Sequence, residues 1–148
     1  MSTFISYSEA ETKKIAGDFF VTLRPGDIVT LTGDLGAGKT TFVKGIAAAF
    51  GIKKEITSPT FAIMNVYQIP DNKQQIANIS RLVHIDTYRL KSINQLYAIG
   101  VDEYIGASDS ITIIEWPELT DPLLKNKKIR AVELTHNSDT SRKITIEQ

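Results

Sequence analysis

The chain has 148 residues, 42% hydrophobic and 23% charged, with 17 Lys plus Arg against 17 Asp plus Glu and a formal charge of zero. That length suits one domain over residues 1–148, with a real core and no room for a second large one. The even charge does not argue for a chain that holds nucleic acid alone, and the lack of cysteine excludes disulfides, thiolate metal sites and cysteine nucleophiles.

Met1 to Lys14 mixes polar and acidic residues without an apolar run of signal-peptide length. No stretch approaches the 18 or so apolar residues of a membrane span. The expectation is a soluble, cytoplasmic protein with no membrane partner.

Ser8-Glu9-Ala10-Glu11 reads as a capping box. Behind it Ile15, Phe19 and Leu23 recur at i, i+4 and i+8 and predict one face of a helix, which Arg24-Pro25-Gly26 ends in a turn. Asp27 to Thr32 predicts a short strand, and Gly33 to Gly38 a glycine-rich loop. A helix follows from Lys39 to Phe50, with Gly51 at its C-terminal cap. Phe61 to Tyr67 and Leu82 to Asp86 read as strands, with a turn at Pro70-Asp71-Asn72 between them. Ile93 to Tyr104 reads as helical with a break at Gly100, and Ile111 to Ile114 as a buried strand ending at Glu115. In the tail, Ile129, Ala131 and Leu134 form one run and Ile144 and Ile146 the next. Asn137-Ser138-Asp139 between them predicts an antiparallel hairpin. Interleaved strands and helices with apolar central strands argue for a three-layer α/β domain. Its central sheet would be mostly parallel.

Gly33-Asp34-Leu35-Gly36-Ala37-Gly38-Lys39-Thr40 matches G-x-x-x-x-G-K-[ST] in full. A random match in a chain this long has odds of roughly one in a few hundred at average composition. It also falls between a predicted strand and a predicted helix, the context that a phosphate-binding loop requires. Glycines let the backbone wrap a phosphate chain, and the loop N–H groups and helix N-terminus face it. Lys39 then reaches the β and γ phosphates and the Thr40 hydroxyl ligates Mg²⁺.

Such a loop needs carboxylates near the metal and the attacking water. Two apolar strands end in an acid, at Asp86 and at Glu115. In a parallel sheet both would lie beyond the strands' carboxyl ends, where ligands gather. One could hold the metal and the other position water, and spacing alone does not assign the roles. His84 reads as a sheet histidine rather than a base. Thr57-Ser58-Pro59-Thr60 reads equally as a loop that responds to the γ-phosphate and as a plain turn. Tyr88-Arg89 could place a cation near phosphate or face solvent, and Trp116 reads as a packing or partner-facing aromatic. Lys125-Asn126-Lys127-Lys128 reads as a solvated loop. The guanine-reading patterns N-K-x-D and D-x-x-G are absent from the sequence, which favours adenine.

G-D-L-G-A-G-K-T-T at 33–41, S-P-T-F at 58–61, H-I-D-T-Y-R-L at 84–90 and I-E-W-P-E at 114–118 occur in this order. With these stretches the chain resembles the TsaE family, also called YjeE, from the Ser8 helix to the C-terminal hairpin. The resemblance implies a small P-loop ATPase that binds ATP and Mg²⁺ and serves threonylcarbamoyladenosine formation on tRNA. It further implies work with the TsaB–TsaD pair, tRNA being met indirectly through that complex. TsaD transfers the group from an adenylate made by TsaC, and the ATP cycle of TsaE keeps the complex turning over.

Position by position, the resemblance makes Thr40 and Glu115 the Mg²⁺ ligands and Asp86 the acid that orients water. Lys39 stabilises the γ-phosphate. Gly33 to Thr41, and Gly36 to Thr41 above all, line the phosphates. Glu9 approaches the base or ribose, Ser58 to Phe61 form a switch-like loop, and Trp116 sits beside the metal acid. The stretch from Pro70 to Arg81 is longer than usual for the family and reads as an extended hairpin at the sheet edge. Two rival readings remain, a P-loop small-molecule kinase and a non-hydrolytic nucleotide-dependent switch. Against the kinase, the arginines after the loop (Arg81, Arg89, Arg130, Arg142) form no cluster in sequence.

Overall fold

The computed structural model describes residues 1–59, 63–71 and 76–147. In chain order its strands are β1 (Ser2–Ser6), β2 (Ile28–Gly33), β3 (Met64–Gln68), β4 (Arg81–Asp86), β5 (Ser110–Glu115), β6 (Ile129–Ser138) and β7 (Ser141–Ile146). Its α-helices are α1 (Glu9–Phe20), α2 (Lys39–Ala49), α3 (Asn94–Ala98) and α4 (Asp121–Leu124). The fold is a mixed α/β arrangement around one seven-stranded sheet of order β1-β7-β6-β2-β5-β4-β3.

The centre of the sheet, β6-β2-β5-β4, is parallel. The margins are antiparallel: β7 and β1 continue beyond β6, and β3 lies on β4. The expected parallel character therefore belongs to the centre alone. The expected C-terminal hairpin is β6–β7; β3 pairs with β4 at the sheet edge, and residues 72–75 of the 70–81 stretch lie outside the described residues.

Alternate residues of each central strand are buried on opposite faces, as a sheet covered on both sides demands. Val29 and Leu31 join Phe19, Phe20, Phe42 and Ile46 on the face carrying α1 and α2. Ile28, Val83, Ile85 and Ile114 meet Leu96, Val101, Leu123 and Leu124 on the other. No helix among the described residues is long and apolar enough to cross a membrane.

Several expectations shift in detail. The Ser8 hydroxyl accepts the Glu11 N–H at 3.1 Å, but the Glu11 carboxylate reaches back to the N–H of Tyr7 at 2.7 Å. The buried stripe of α1 is Thr12, Ala16, Phe19 and Phe20, while Ile15 packs at its margin. Gly100, at φ 72°, breaks the expected helix of 93–104 into α3 and a 3-10 turn at Val101–Glu103. In β6 the core residues are Val132 and Leu134, whereas Ile129 is exposed. Strand β1 was not expected at all. Of the strand expected over 61–67, residues 61 and 62 lie outside the described residues, as does Asn72 of the turn.

Helix α2 crosses α1 at Gly45, where an added Cβ would stand 2.6 Å from the Ala16 Cβ and 2.7 Å from the Lys13 carbonyl oxygen. Close approach, not helix propensity, selects glycine there. Gly45→Ala should lower stability by about 1–3 kcal/mol through overpacking. Gly17→Ala, in the same helix pair but with nothing within 4 Å of the added Cβ, should raise it by about 0.5–1 kcal/mol. Urea unfolding of both variants checks this, and equal effects would remove the packing argument.

Candidate functional site

The glycine-rich segment runs from the end of β2 into the start of α2. Gly33 has φ 127°, and a Cβ there would lie 1.7 Å from the carbonyl oxygen of Leu134 on β6. Only glycine lets β2 leave the sheet so close to its neighbour. Gly38 then caps α2 in the left-handed region, and Ala37 is fully buried under the loop. Asp34, Leu35 and Gly36 form its exposed crest.

Lys39 is drawn in beneath this loop. Its ammonium donates to the carbonyls of Gly33 at 2.9 Å and Asp34 at 2.7 Å, and lies 4.0 Å from the Trp116 ring centroid. Trp116 holds a left-handed backbone conformation, φ 58°, directly after β5. Its ring meets that of Tyr88 at 4.8 Å, and its carbonyl accepts the Thr87 hydroxyl.

The two acids expected at strand ends are paired in register, Asp86 on β4 opposite Glu115 on β5. Glu115 is 3% exposed. It accepts the Thr40 hydroxyl at 3.0 and 3.3 Å, and its Oε1 shares a 2.8 Å hydrogen bond with Nε2 of the fully buried His84. Asp86 is held differently: its Oδ2 accepts the Ser58 hydroxyl at 2.6 Å and its Oδ1 the Tyr88 N–H at 2.9 Å. Lys39, Thr40, Asp86 and Glu115 therefore converge, as the sequence suggested, on a cleft of about 460 Å³. Leu35, Gly36, Gly38, Thr41, Ser58, Tyr88, Arg89 and Trp116 complete its lining.

Glu9 is not in that cleft. It lines an adjoining one of about 220 Å³, which shares Gly36, Gly38 and Thr41 with the first. Two features escaped the sequence reading. His84 is a sheet histidine, as expected, yet it also orients Glu115, a link made by the pairing of β4 with β5. Arg142, Asp139 and Thr140 of the β6–β7 hairpin line the Glu9 cleft, and no motif marks them.

The donor set is one of hard oxygens, the Thr40 hydroxyl and the Glu115 carboxylate, beside Asp86. No cluster of three or more His, Cys, Asp or Glu side chains suited to a metal occurs among the described residues. This sparse set matches an ion that keeps its waters and takes further ligands from a phosphate chain, as Mg²⁺ does. The Lys39 ammonium beneath the loop suits the negative charge of such a chain.

A glycine-rich strand–loop–helix at the carboxyl edge of a parallel sheet centre, faced by two strand-end acids, places the chain in a class of mixed α/β proteins with a phosphate-loop sequence. The family model for threonylcarbamoyl adenosine biosynthesis protein TsaE matches residues 6–144, and the chain belongs to that family. A Rickettsia bellii protein named tRNA threonylcarbamoyladenosine biosynthesis protein TsaE is 41% identical over 124 residues, 83% of this chain and 79% of its own. A Bacillus subtilis protein of the same name is 36% identical over 135 residues, 91% of this chain and 78% of its own. The crystal structure of YdiB from Bacillus subtilis superposes with a TM-score of 0.75 at 31% identity, covering 98% of this chain and 83% of that one.

Burial holds the Lys39 ammonium below its ordinary 10.5, against the opposing attraction of Glu115, Asp86, Asp34 and Glu118. A lysine lowered in this way surrenders its proton more readily in the folded chain than in the unfolded one. In the pH window that ends at 10.5 the unfolded chain holds more protons, so the contribution of Lys39 to stability rises with pH there. Below that window both forms are protonated and the full cost of burying the charge is felt. Urea unfolding of the wild type against Lys39→Met should therefore show a difference that shifts in favour of the wild type as pH climbs toward 10.5. A shift the other way would mean that the acids outweigh burial.

Proposed function

We propose that this protein is a P-loop NTPase-like ATPase. It binds ATP with Mg²⁺, hydrolyses it slowly, and supports turnover of a TsaB–TsaD complex in the threonylcarbamoyladenosine modification of tRNA. The observation that carries the reading is the convergence of Lys39, Thr40, Asp86 and Glu115 on one cleft. Membership of the TsaE family and the names of the relatives support the assigned process.

The chemistry of the chain's own groups is positioning and charge stabilisation. The Lys39 ammonium, now on two backbone carbonyls, exchanges them for β and γ phosphate oxygens. The amides from Gly36 to Thr41 cradle the phosphate chain at the start of α2. The Thr40 hydroxyl and Glu115 would hold Mg²⁺, which would supply charge neutralisation at the phosphates. Asp86, its carboxylate fixed by Ser58 and the Tyr88 N–H, orients the attacking water and receives its proton. Arg89 lines the same cleft. A weak activity that a partner raises is the expected pattern.

Reconstitution tests the process. TsaC, TsaB and TsaD are mixed with tRNA, threonine, bicarbonate and ATP, and modified tRNA is followed over many turnovers. Turnover should stall without this protein and resume with it, but not with Lys39→Ala or Asp86→Ala. Equal modification with and without the protein would leave the phosphate site standing and remove the process. Full activity of Asp86→Ala would favour a non-hydrolytic switch. The metal assignment has its own check: Glu115→Ala should weaken ATP binding about tenfold or more with Mg²⁺ and far less in EDTA, because the lost contact acts through the ion. Equal losses in both buffers would contradict it.

A further inference from the structure

Glu115 is held from two sides, and its two holders differ in what else they do. Thr40 donates to both carboxylate oxygens, at 3.0 and 3.3 Å, and itself lines the phosphate cleft. His84 meets Oε1 alone, through Nε2 at 2.8 Å. It is wholly buried and lines neither the phosphate cleft nor the one beside it. A nucleotide seated there would not touch the imidazole, so whatever His84 does for a ligand passes through Glu115.

We propose that His84 is a positioning residue for the metal acid. It pins Oε1 of Glu115, leaves Oε2 for the ion, and so sets how strongly nucleotide binding depends on Mg²⁺. The inference rests on the metal assignment made above and adds a residue to it.

Three observations carry it. The first is placement. His84 stands opposite Ile113 in the parallel ladder, and Asp86 opposite Glu115. Residues two apart on a strand share a face, so His84, Asp86 and Glu115 all lie on the side where Ile113 packs with Phe42 and Ile46 of α2. The second is the division of the carboxylate. Oε1 takes the hydrogen bonds of His84 and Thr40, whereas Oε2 takes only the 3.3 Å contact from Thr40. Spare acceptor capacity is therefore concentrated on Oε2. The third is the ring's lack of another anchor. A carboxylate accepts, so Nε2 donates, and Nδ1 has no hydrogen-bond partner among the described residues. The one polar contact of His84 is Glu115. A glutamate side chain that is tethered at one oxygen has less freedom left to lose when an ion binds, which is how partners behind a metal ligand raise affinity.

The test separates metal-dependent from metal-independent binding. Calorimetric titration of the full chain with ADP, in Mg²⁺ and in EDTA, is run on the wild type, His84→Leu, His84→Gln and Glu115→Ala, and on the double variant of His84→Leu with Glu115→Ala. His84→Leu should weaken ADP about tenfold in Mg²⁺ and leave the EDTA value unchanged, which also shows that the variant is folded. His84→Gln should recover most of the loss, because its amide nitrogen can donate to Oε1. Once Glu115 is alanine, His84→Leu should cost nothing more, since the two residues act as one unit. An unchanged Mg²⁺ value for His84→Leu overturns the inference, as do equal losses in both buffers, no rescue by glutamine, or losses that add in the double variant. If the wild type binds ADP equally well with Mg²⁺ and in EDTA, the metal assignment falls and takes the inference with it.

Discussion

Glu115 is the group on which the arrangement turns. Removing a carboxylate from water costs several kcal/mol, and each hydrogen bond it accepts returns only about 1.5–3 kcal/mol. Glu115 is nonetheless almost wholly enclosed, held by Thr40 from α2 and by His84 from β4. It thereby ties β5 to the strand beside it and to the helix above it. An apolar residue would serve the core at lower cost. The parallel register then does the rest. Pairing Asp86 with Glu115 sets the backbones of the two acids one interstrand spacing, roughly 4.8 Å, apart along the sheet.

Lys39 presents the complementary tension. Its ammonium is buried under the loop beside four acids, and burial prevails over their attraction. Two carbonyls and the Trp116 ring satisfy its donors in this state. The lysine is therefore packed and poised: a phosphate chain would offer it full negative charge in exchange for partial charges. The left-handed turn at Trp116 belongs to the same device, because it brings the ring back over Lys39 directly after Glu115.

The parts of this site that were legible in the sequence are those whose chemistry demands a fixed local spacing. The loop from Gly33 to Thr40 could be read because left-handed and Cβ-free positions leave few residue choices. Asp86 and Glu115 could be read because apolar runs end in them. The marginal elements were less legible. Strand β1, Ser-Thr-Phe-Ile-Ser, lies at the sheet edge with most of its residues exposed, so no alternation marks it and its pairing with β7 creates it. In β6 the inward phase follows Val132 and Leu134, a choice made by the neighbouring β2 and β7 rather than by the local run. The His84 link to Glu115 needs the β4–β5 register, which a one-dimensional reading does not contain.

The sheet divides its work between centre and margins. Parallel strands are joined by crossovers, so their carboxyl ends lie together at one edge and can bring acids from distant parts of the chain to a single loop. Antiparallel strands return at once, so a hairpin can extend past that edge and present side chains from its tip. The β6–β7 hairpin does this because β6 runs for ten residues, four more than its parallel neighbour β2, with ten residues from Ile129 to Ser138 against six from Ile28 to Gly33. The excess length carries the tip beyond the end of β2 to the level of the loop. A shorter β6 would leave the same core and the same phosphate loop, but it would place no side chain of the hairpin beside them.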